Sequence, residues 1–245
     1  MDTLHLIPVC LAIAVVAFLY SSVGHAGASG YIAVMTLFGF AATVIRPIAL
    51  VLNILVACIG TFQFWRAGHF SWKLFWPFAL LSVPAAYVGG YLKPPQELLK
   101  VLLGVVLLLS AARLFTHQGD PAQVNRPKLP TALGAGAIIG LLAGLTGTGG
   151  GIFLTPLLLF CRWARTRQAS SVTAAFILVN SLAGLFGYFT SGQPTPRFAV
   201  LFAAAAVIGG VFGSHLGSRK LPVRAILLLL AVVLVIAGVK LVFAI

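Results

Sequence analysis

The chain has 245 residues, of which 60% are hydrophobic and only 8% charged. A soluble domain carries roughly 25% charged residues, so the composition excludes a sizeable soluble domain and identifies an integral membrane protein. Basic residues number 16 and acidic residues 3, a net charge of +13. Such an excess suits loops that fix membrane orientation and touch anionic lipid.

In chain order, Met1-Asp2-Thr3-Leu4-His5 has no Lys or Arg ahead of the first apolar run. It lacks the basic start of a cleavable signal peptide, so Leu6 to Tyr20 reads as a retained segment. The first apolar stretch, roughly 4–44, is interrupted at 24–30. Three ordinary spans follow at roughly 47–65, 74–92 and 98–115. A polar linker comes next, within Thr116 to Leu129. The second half repeats the plan: a stretch over 131–161 interrupted at 147–151, then spans at 171–190, 198–217 and 223–244. Spans near 20 residues cross a core of about 30 Å. Ile152 to Cys161 would rise only ~15 Å, enough to reach the midplane but not to cross. The interrupted stretches are therefore either re-entrant hairpins or strongly tilted pairs.

Residues 53–113 match residues 180–240 without gaps at a shift of 127 (180 − 53); upstream, the spacing of the two breaks differs by about six residues. Asn53 falls on Asn180, Gly60 on Gly187, Phe62 on Phe189, Gly90 on Gly217, Lys93 on Lys220 and Pro95 on Pro222. The expected domains are repeat 1 over 1–117, a linker over 118–129 and repeat 2 over 130–245. An odd number of crossings per half inverts one half relative to the other. Basic residues agree. With the linker cytoplasmic, Arg66, Lys73, Arg113, the cluster Arg162, Arg165, Arg167 and the cluster Arg219, Lys220, Arg224 also lie inside. Arg46, Lys93, Arg197 and Lys240 lie outside, and both termini face outward. The expected fold is all-α: two inverted repeats, each a glycine-broken helix pair followed by three transmembrane helices, in the cell (inner) membrane.

The interruptions carry the chemistry. Gly147-Thr148-Gly149-Gly150-Gly151 places four glycines in five positions, and each costs a helix about 1 kcal/mol relative to alanine. Unwound backbone survives at membrane depth only inside protein or around a water-filled cavity, and such breaks are where transporters bind cargo. Two short helices starting at the breaks would aim free N–H groups and positive dipole ends at the protein centre, a ready anion site. Thr146, Thr148, Gly149, Gly150 and Gly151 form the second-half candidate site, with Thr155 just beyond. Ser21, Ser22, His25, Ser29 and Gly30 lie at the corresponding first-half break. Asn53 and Asn180 would add amide donors, or tie helices together as packing residues. His25 is the ionisable side chain of the breaks and offers a route for proton or ion coupling.

The acids Asp2, Glu97 and Asp120 fall at segment ends or in the linker, so no carboxylate is expected within a span. Cation transporters rely on such groups, so an anionic or neutral cargo is favoured. The cysteines, Cys10, Cys58 and Cys161, have no metal spacing, and the five histidines do not cluster. No metal, cofactor or nucleic-acid partner is expected; the partners are a small anionic substrate and the lipid bilayer. Two other readings stay open. Gly27-Ala28-Ser29-Gly30 matches the G-x-S-G of rhomboid intramembrane proteases, with Ser29 as nucleophile and His215 as base. An anion channel is the third.

The segment Gly144-Leu145-Thr146-Gly147-Thr148-Gly149-Gly150-Gly151-Ile152-Phe153-Leu154-Thr155-Pro156 resembles the signature of the TauE/SafE family of sulfite exporter-like transporters. Length, paired halves, short linker and a glycine-rich break in each half extend the resemblance over the whole chain. The first-half break departs from it, with Met35 or Thr36 where proline would fall. The resemblance implies a cargo of sulfite or a small organosulfur or organic anion, usually exported by alternating access. It implies a transporter rather than an enzyme.

Overall fold

A computed structural model describes residues 3–40, 42–92, 108, 111–112, 120–121, 123–192 and 199–243. Its described residues are helical with connecting turns and contain no strand. The helices are α1 (Thr3–Ser22), α2 (Ala28–Leu37), α3 (Ala42–Arg66), α4 (Trp72–Tyr91), α5 (Leu129–Thr146), α6 (Gly151–Phe160), α7 (Thr166–Thr190), α8 (Ala199–Arg219) and α9 (Val223–Phe243). Among the described residues, five helices are long and apolar enough to cross a membrane: α3, α4, α5, α7 and α8. The protein is therefore a multi-pass, all-α membrane protein. The expected span at 98–115 falls largely outside the described residues, as do Asp2, Lys93, Glu97, Arg113 and Arg197.

Small residues let the helices approach closely, which sets their directions. Gly136, Gly140 and Gly144 of α5 lie against Phe78, Ser82 and Ala86 of α4 in the same order, so these helices run parallel. Gly209, Gly213 and Gly217 of α8 lie likewise against Ala14, Phe18 and Ser22 of α1. The α4–α7 pair is parallel too: Ser82 bonds Asn180, and Ala86 and Tyr91 lie against Gly184 and Gly187. So is α3–α8, with Val56 against Gly210 and His69 bonded to Ser218. The central pair differs. Leu50 lies by Gly184, Asn53 bonds Ser181 and Gly60 lies by Ala174, so α3 and α7 cross antiparallel.

It follows that α1, α3 and α8 point one way and α4, α5 and α7 the other. Among these six helices, α1 opposes α5, α3 opposes α7 and α4 opposes α8. Because α1 and α3 share a direction, break and α2 together return the chain. The second break and α6 do the same between α5 and α7. Apolar packing follows the same plan, with one core around α2 (Tyr31, Met35, Ile48, Leu52) and another around α6 (Leu154, Leu158, Phe176, Leu230).

One end of the molecule gathers the basic loops. His69, between α3 and α4, bonds the Ser218 carbonyl (3.1 Å), and Arg167 donates to the Leu221 carbonyl (2.8 Å). The linker joins them: Asn125 N–H donates to the Arg162 carbonyl (2.8 Å). The Asp120 carboxylate accepts the N–H and hydroxyl of Thr166, both at 2.6 Å. An acid at a helix N-terminus satisfies free N–H groups and complements the dipole. Of the three acids, this one serves the scaffold.

Candidate functional site

The breaks are shorter than the glycine pattern indicates. Helix α2 begins at Ala28 and α6 at Gly151, so Ser29 and Gly30 sit in a first helical turn rather than in unwound chain. The unwound residues are 23–27 and 147–150. Left-handed backbone at Gly147, Gly149 and Gly150 (φ +73°, +73° and +80°) turns the chain back at the second break, a conformation that disfavours residues with a Cβ. Among the described residues, the N–H groups of Thr148, Gly149 and Gly150 make no hydrogen bond.

Asn53 joins the breaks. It is fully buried at the crossing of α3 and α7. Its Oδ1 accepts the Ala28 N–H (3.0 Å), capping the first turn of α2. Its Nδ2 donates to the Thr148 carbonyl (3.2 Å) and to Ser181 Oγ (3.3 Å). One side chain therefore holds the start of α2 beside the second break. Asn180, its match in the other half, is equally buried but differently bonded: Oδ1 accepts the Ser82 hydroxyl, and Nδ2 has no partner.

His25 makes the other cross-connection. It is buried, with Nε2 2.9 Å from Thr155 Oγ1, which lies 2.8 Å from Thr173 Oγ1. Its Nδ1 has no partner. If the hydroxyl protons run from Thr173 to Thr155 to Nε2, then Nδ1 carries the ring proton.

Several hydroxyls expected to face cargo are already satisfied. Thr146 donates to the Leu142 carbonyl (2.7 Å) and lies 2.8 Å from Thr148 Oγ1. Since Thr146 has one proton, Thr148 must donate to Thr146, and neither hydroxyl proton is free. Ser29 Oγ lies 2.9 Å from Tyr20 Oη. A Cβ at Gly30 would strike Val16 and Tyr20, so Gly30 serves packing against α1. The glycines of the second break also differ. A Cβ at Gly149 would meet Asn53 Nδ2 (2.9 Å) and Ser181 Oγ (2.8 Å), whereas one at Gly150 would meet Ile139, Phe176 and Ala143. Gly149 faces the polar cluster; Gly150 faces apolar side chains. Gly151 packs on Ile177 and Thr173.

The Ser29–His215 pair is not assembled. Ser29 is buried with Tyr20, while His215 is exposed in a groove with Phe62 and Arg219. Arg46, assigned to the outer side by its sequence position, lies in the first turns of α3, at the end opposite Arg66. Its Nη2 donates to the carbonyls of Gly89 (3.1 Å), Gly90 (3.3 Å) and Gly144, and its guanidinium lies 5.8 Å from the Tyr188 ring centroid. It caps the last turns of α4 and α5.

Buried polar atoms without a partner include His25 Nδ1, Tyr31 Oη, Ser170 Oγ, Ser171 Oγ and Asn180 Nδ2. Ser170 lies against Gly24 at the first break. Sequence reasoning placed Thr155 just beyond the second break but overlooked its partners His25 and Thr173, and did not single out Tyr20 or Ser181. The usable signal was the polar series Ser170-Ser171-Val172-Thr173 in an otherwise apolar segment.

Comparisons with known proteins point to a family of membrane transporters. The family model described as Sulfite exporter TauE/SafE matches residues 9–241. A protein of Sinorhizobium fredii named "probable membrane transporter protein" is 40% identical, covering 98% of this chain and 99% of its own length. Proteins with the same description from Methanocaldococcus jannaschii (24% identical; 74% of this chain, 72% of its own) and Bacillus subtilis (26% identical; 79% and 82%) are also similar. No solved structure matches the chain.

Proposed function

The chain belongs to the TauE/SafE family of membrane transporters, and from this premise we propose that it moves a small anion, sulfite or a small organosulfur or organic anion, by alternating access. The anion sits between the two helix breaks. The reading takes residues 1–117 and 130–245 as inverted repeats, with the basic loops and linker cytoplasmic and export as the direction.

The observation that carries it is Asn53, whose three hydrogen bonds tie the start of α2 to the second break and to α7. That arrangement brings two helix N-termini toward one region, where aligned N–H groups favour an anion. The antiparallel crossing of α3 and α7 supports the inverted arrangement. The unpartnered donors Asn180 Nδ2 and, in one tautomer, His25 Nδ1 are candidates for contact with cargo. A buried donor lacking a partner costs roughly 1–3 kcal/mol, a cost that a bound oxyanion would remove. Asn53, Thr146, Thr148 and Ser29 hold the scaffold, and the backbone of Gly149, Gly150 and Gly151 provides the turn. His25 is the candidate for proton coupling.

The test is uptake into proteoliposomes, with sulfite, sulfate, sulfoacetate and small carboxylates offered with and without imposed gradients. One or more anions should be taken up saturably, and unlabelled anion of the same kind should compete. Flux that rises linearly with concentration for every anion would indicate a channel. No flux for any of them would remove this cargo class.

A further inference from the structure

Between α3 and α8, on the outer surface, lies a groove of about 580 Å³. Cys58, Ile59, Phe62 and Val211 line one part of it, and Arg66, His215 and Arg219 the other. On α3, positions 58, 59, 62 and 66 share one helix face. On α8, 211, 215 and 219 do the same. Arg66 and Arg219 are the last residues of their helices. They stand at the end that carries the basic loops, the level of lipid headgroups. From Cys58 to Arg66 the helix rises about 12 Å, so an apolar trough leads away from a cationic rim. The apolar wall is open, with Phe62 54% and Val211 38% exposed. Among the described residues, no acidic side chain lines the groove.

The repeat provides an internal comparison. At a shift of 127, Cys58, Ile59, Phe62 and Val211 correspond to Leu185, Phe186, Phe189 and Pro84, and the trough stays apolar. Arg66, His215 and Arg219 correspond to Gln193, Val88 and Leu92. The helix pair α4–α7 has the same parallel packing without a single cation at these positions. The fold therefore does not require the cationic rim.

We propose that this groove binds an anionic phospholipid, with the phosphodiester on Arg66, Arg219 and His215 and an acyl chain along Phe62 and Val211. Basic pockets between membrane helices suit anionic headgroups, and the apolar trough selects a lipid over a free anion. The site lies apart from the helix breaks and stands whatever the cargo is.

Cys58 reports on the groove directly, because it is exposed there. In the Cys10→Ser, Cys161→Ser background, Cys58 labelling by a maleimide is followed in detergent micelles during titration with phosphatidylglycerol or phosphatidylcholine. Phosphatidylglycerol at about ten times its dissociation constant should slow labelling roughly tenfold, since only the empty groove reacts. Phosphatidylcholine should not. Arg66→Gln with Arg219→Gln should raise the half-protecting concentration roughly 30-fold, about fivefold per guanidinium. Both side chains are exposed, so the fold should tolerate the change. Arg126→Gln with Lys128→Gln, an equal charge loss on the same end outside the groove, should leave protection unchanged. Equal protection by phosphatidylcholine, equal loss in the control pair, or protection by inorganic phosphate alone would each overturn the proposal. So would a Cys58–Cys58 crosslink between copies without added lipid, which would make a second copy the occupant.

Discussion

Replacing Asn53 and Asn180 by leucine, one at a time, should give unlike results although the two residues match in the repeat. Both are buried, at 0% and 1% exposure, and leucine has a similar size. Removing Asn53 leaves the Ala28 N–H and the Thr148 carbonyl without their partner. At roughly 1–3 kcal/mol for each stranded buried group, the cost is about 2–6 kcal/mol. Removing Asn180 frees one hydroxyl, Ser82, which can turn to the carbonyl four residues earlier in its own helix. It also deletes the unpartnered Nδ2. The net effect should lie within about 1 kcal/mol of zero, on either side. Thermal unfolding in detergent, followed by circular dichroism, distinguishes them. At roughly 2–4 °C per kcal/mol for a chain of this size, Asn53→Leu should lower Tm by about 4–24 °C and Asn180→Leu by a few degrees at most. In transport assays, Asn180→Leu should weaken apparent affinity about tenfold or more, the loss of one buried donor. Equal shifts in Tm, or a larger loss at Asn180, would refute the assignment of Asn53 to the scaffold and Asn180 to the cargo.

Gly149→Ala should be more damaging than Gly150→Ala. Both have positive φ, but the new Cβ of the first strikes Ile177, Ser181 and Asn53 at 2.7–2.9 Å while the second meets its neighbours at 3.0–3.1 Å; Tm and uptake of the two variants check this. Asp120→Ala should remove the acceptor at the start of α7, at a cost of about 0.5–2 kcal/mol, and release the linker, so limited proteolysis should cut near 120–128 faster while uptake persists. For topology, cysteines placed at Gln118 and Arg165 should be labelled from the cytoplasmic side, and cysteines at Lys93 and Gln193 from the other; labelling of Gln118 and Arg165 from opposite sides would contradict the inverted reading.

The helices were legible because glycine breaks and apolar run lengths act locally. The expected span at 171–190 starts at Thr166, since Asp120 from the distant linker caps that turn. The expected span at 47–65 likewise starts earlier, at Ala42, and the partners of Arg46 come from α4, α5 and α7. The site was legible as a region but not in its bonding. Asn53 and Asn180 are alike in the sequence pattern, but one faces Ala28 and Thr148 and the other faces Ser82. Thr146 and Thr148 read as free donors although their bonds are local: Thr146 back-bonds the Leu142 carbonyl, as helical threonines do, and Thr148 turns onto Thr146 two residues away. Hydroxyl partners depend on rotamers and on neighbours set by packing, which residue spacing does not encode.

Counterflow bears most directly on the central claim, that one anion site between the breaks is exposed to each side of the membrane in turn. Proteoliposomes loaded with unlabelled sulfite are diluted into a trace of labelled sulfite without any imposed gradient of protons or other ions. Label should accumulate transiently above equilibrium, less so in Asn180→Leu and unchanged in the groove variant Arg66→Gln/Arg219→Gln. Simple equilibration of label without overshoot, at a rate unaffected by internal sulfite, would contradict that claim.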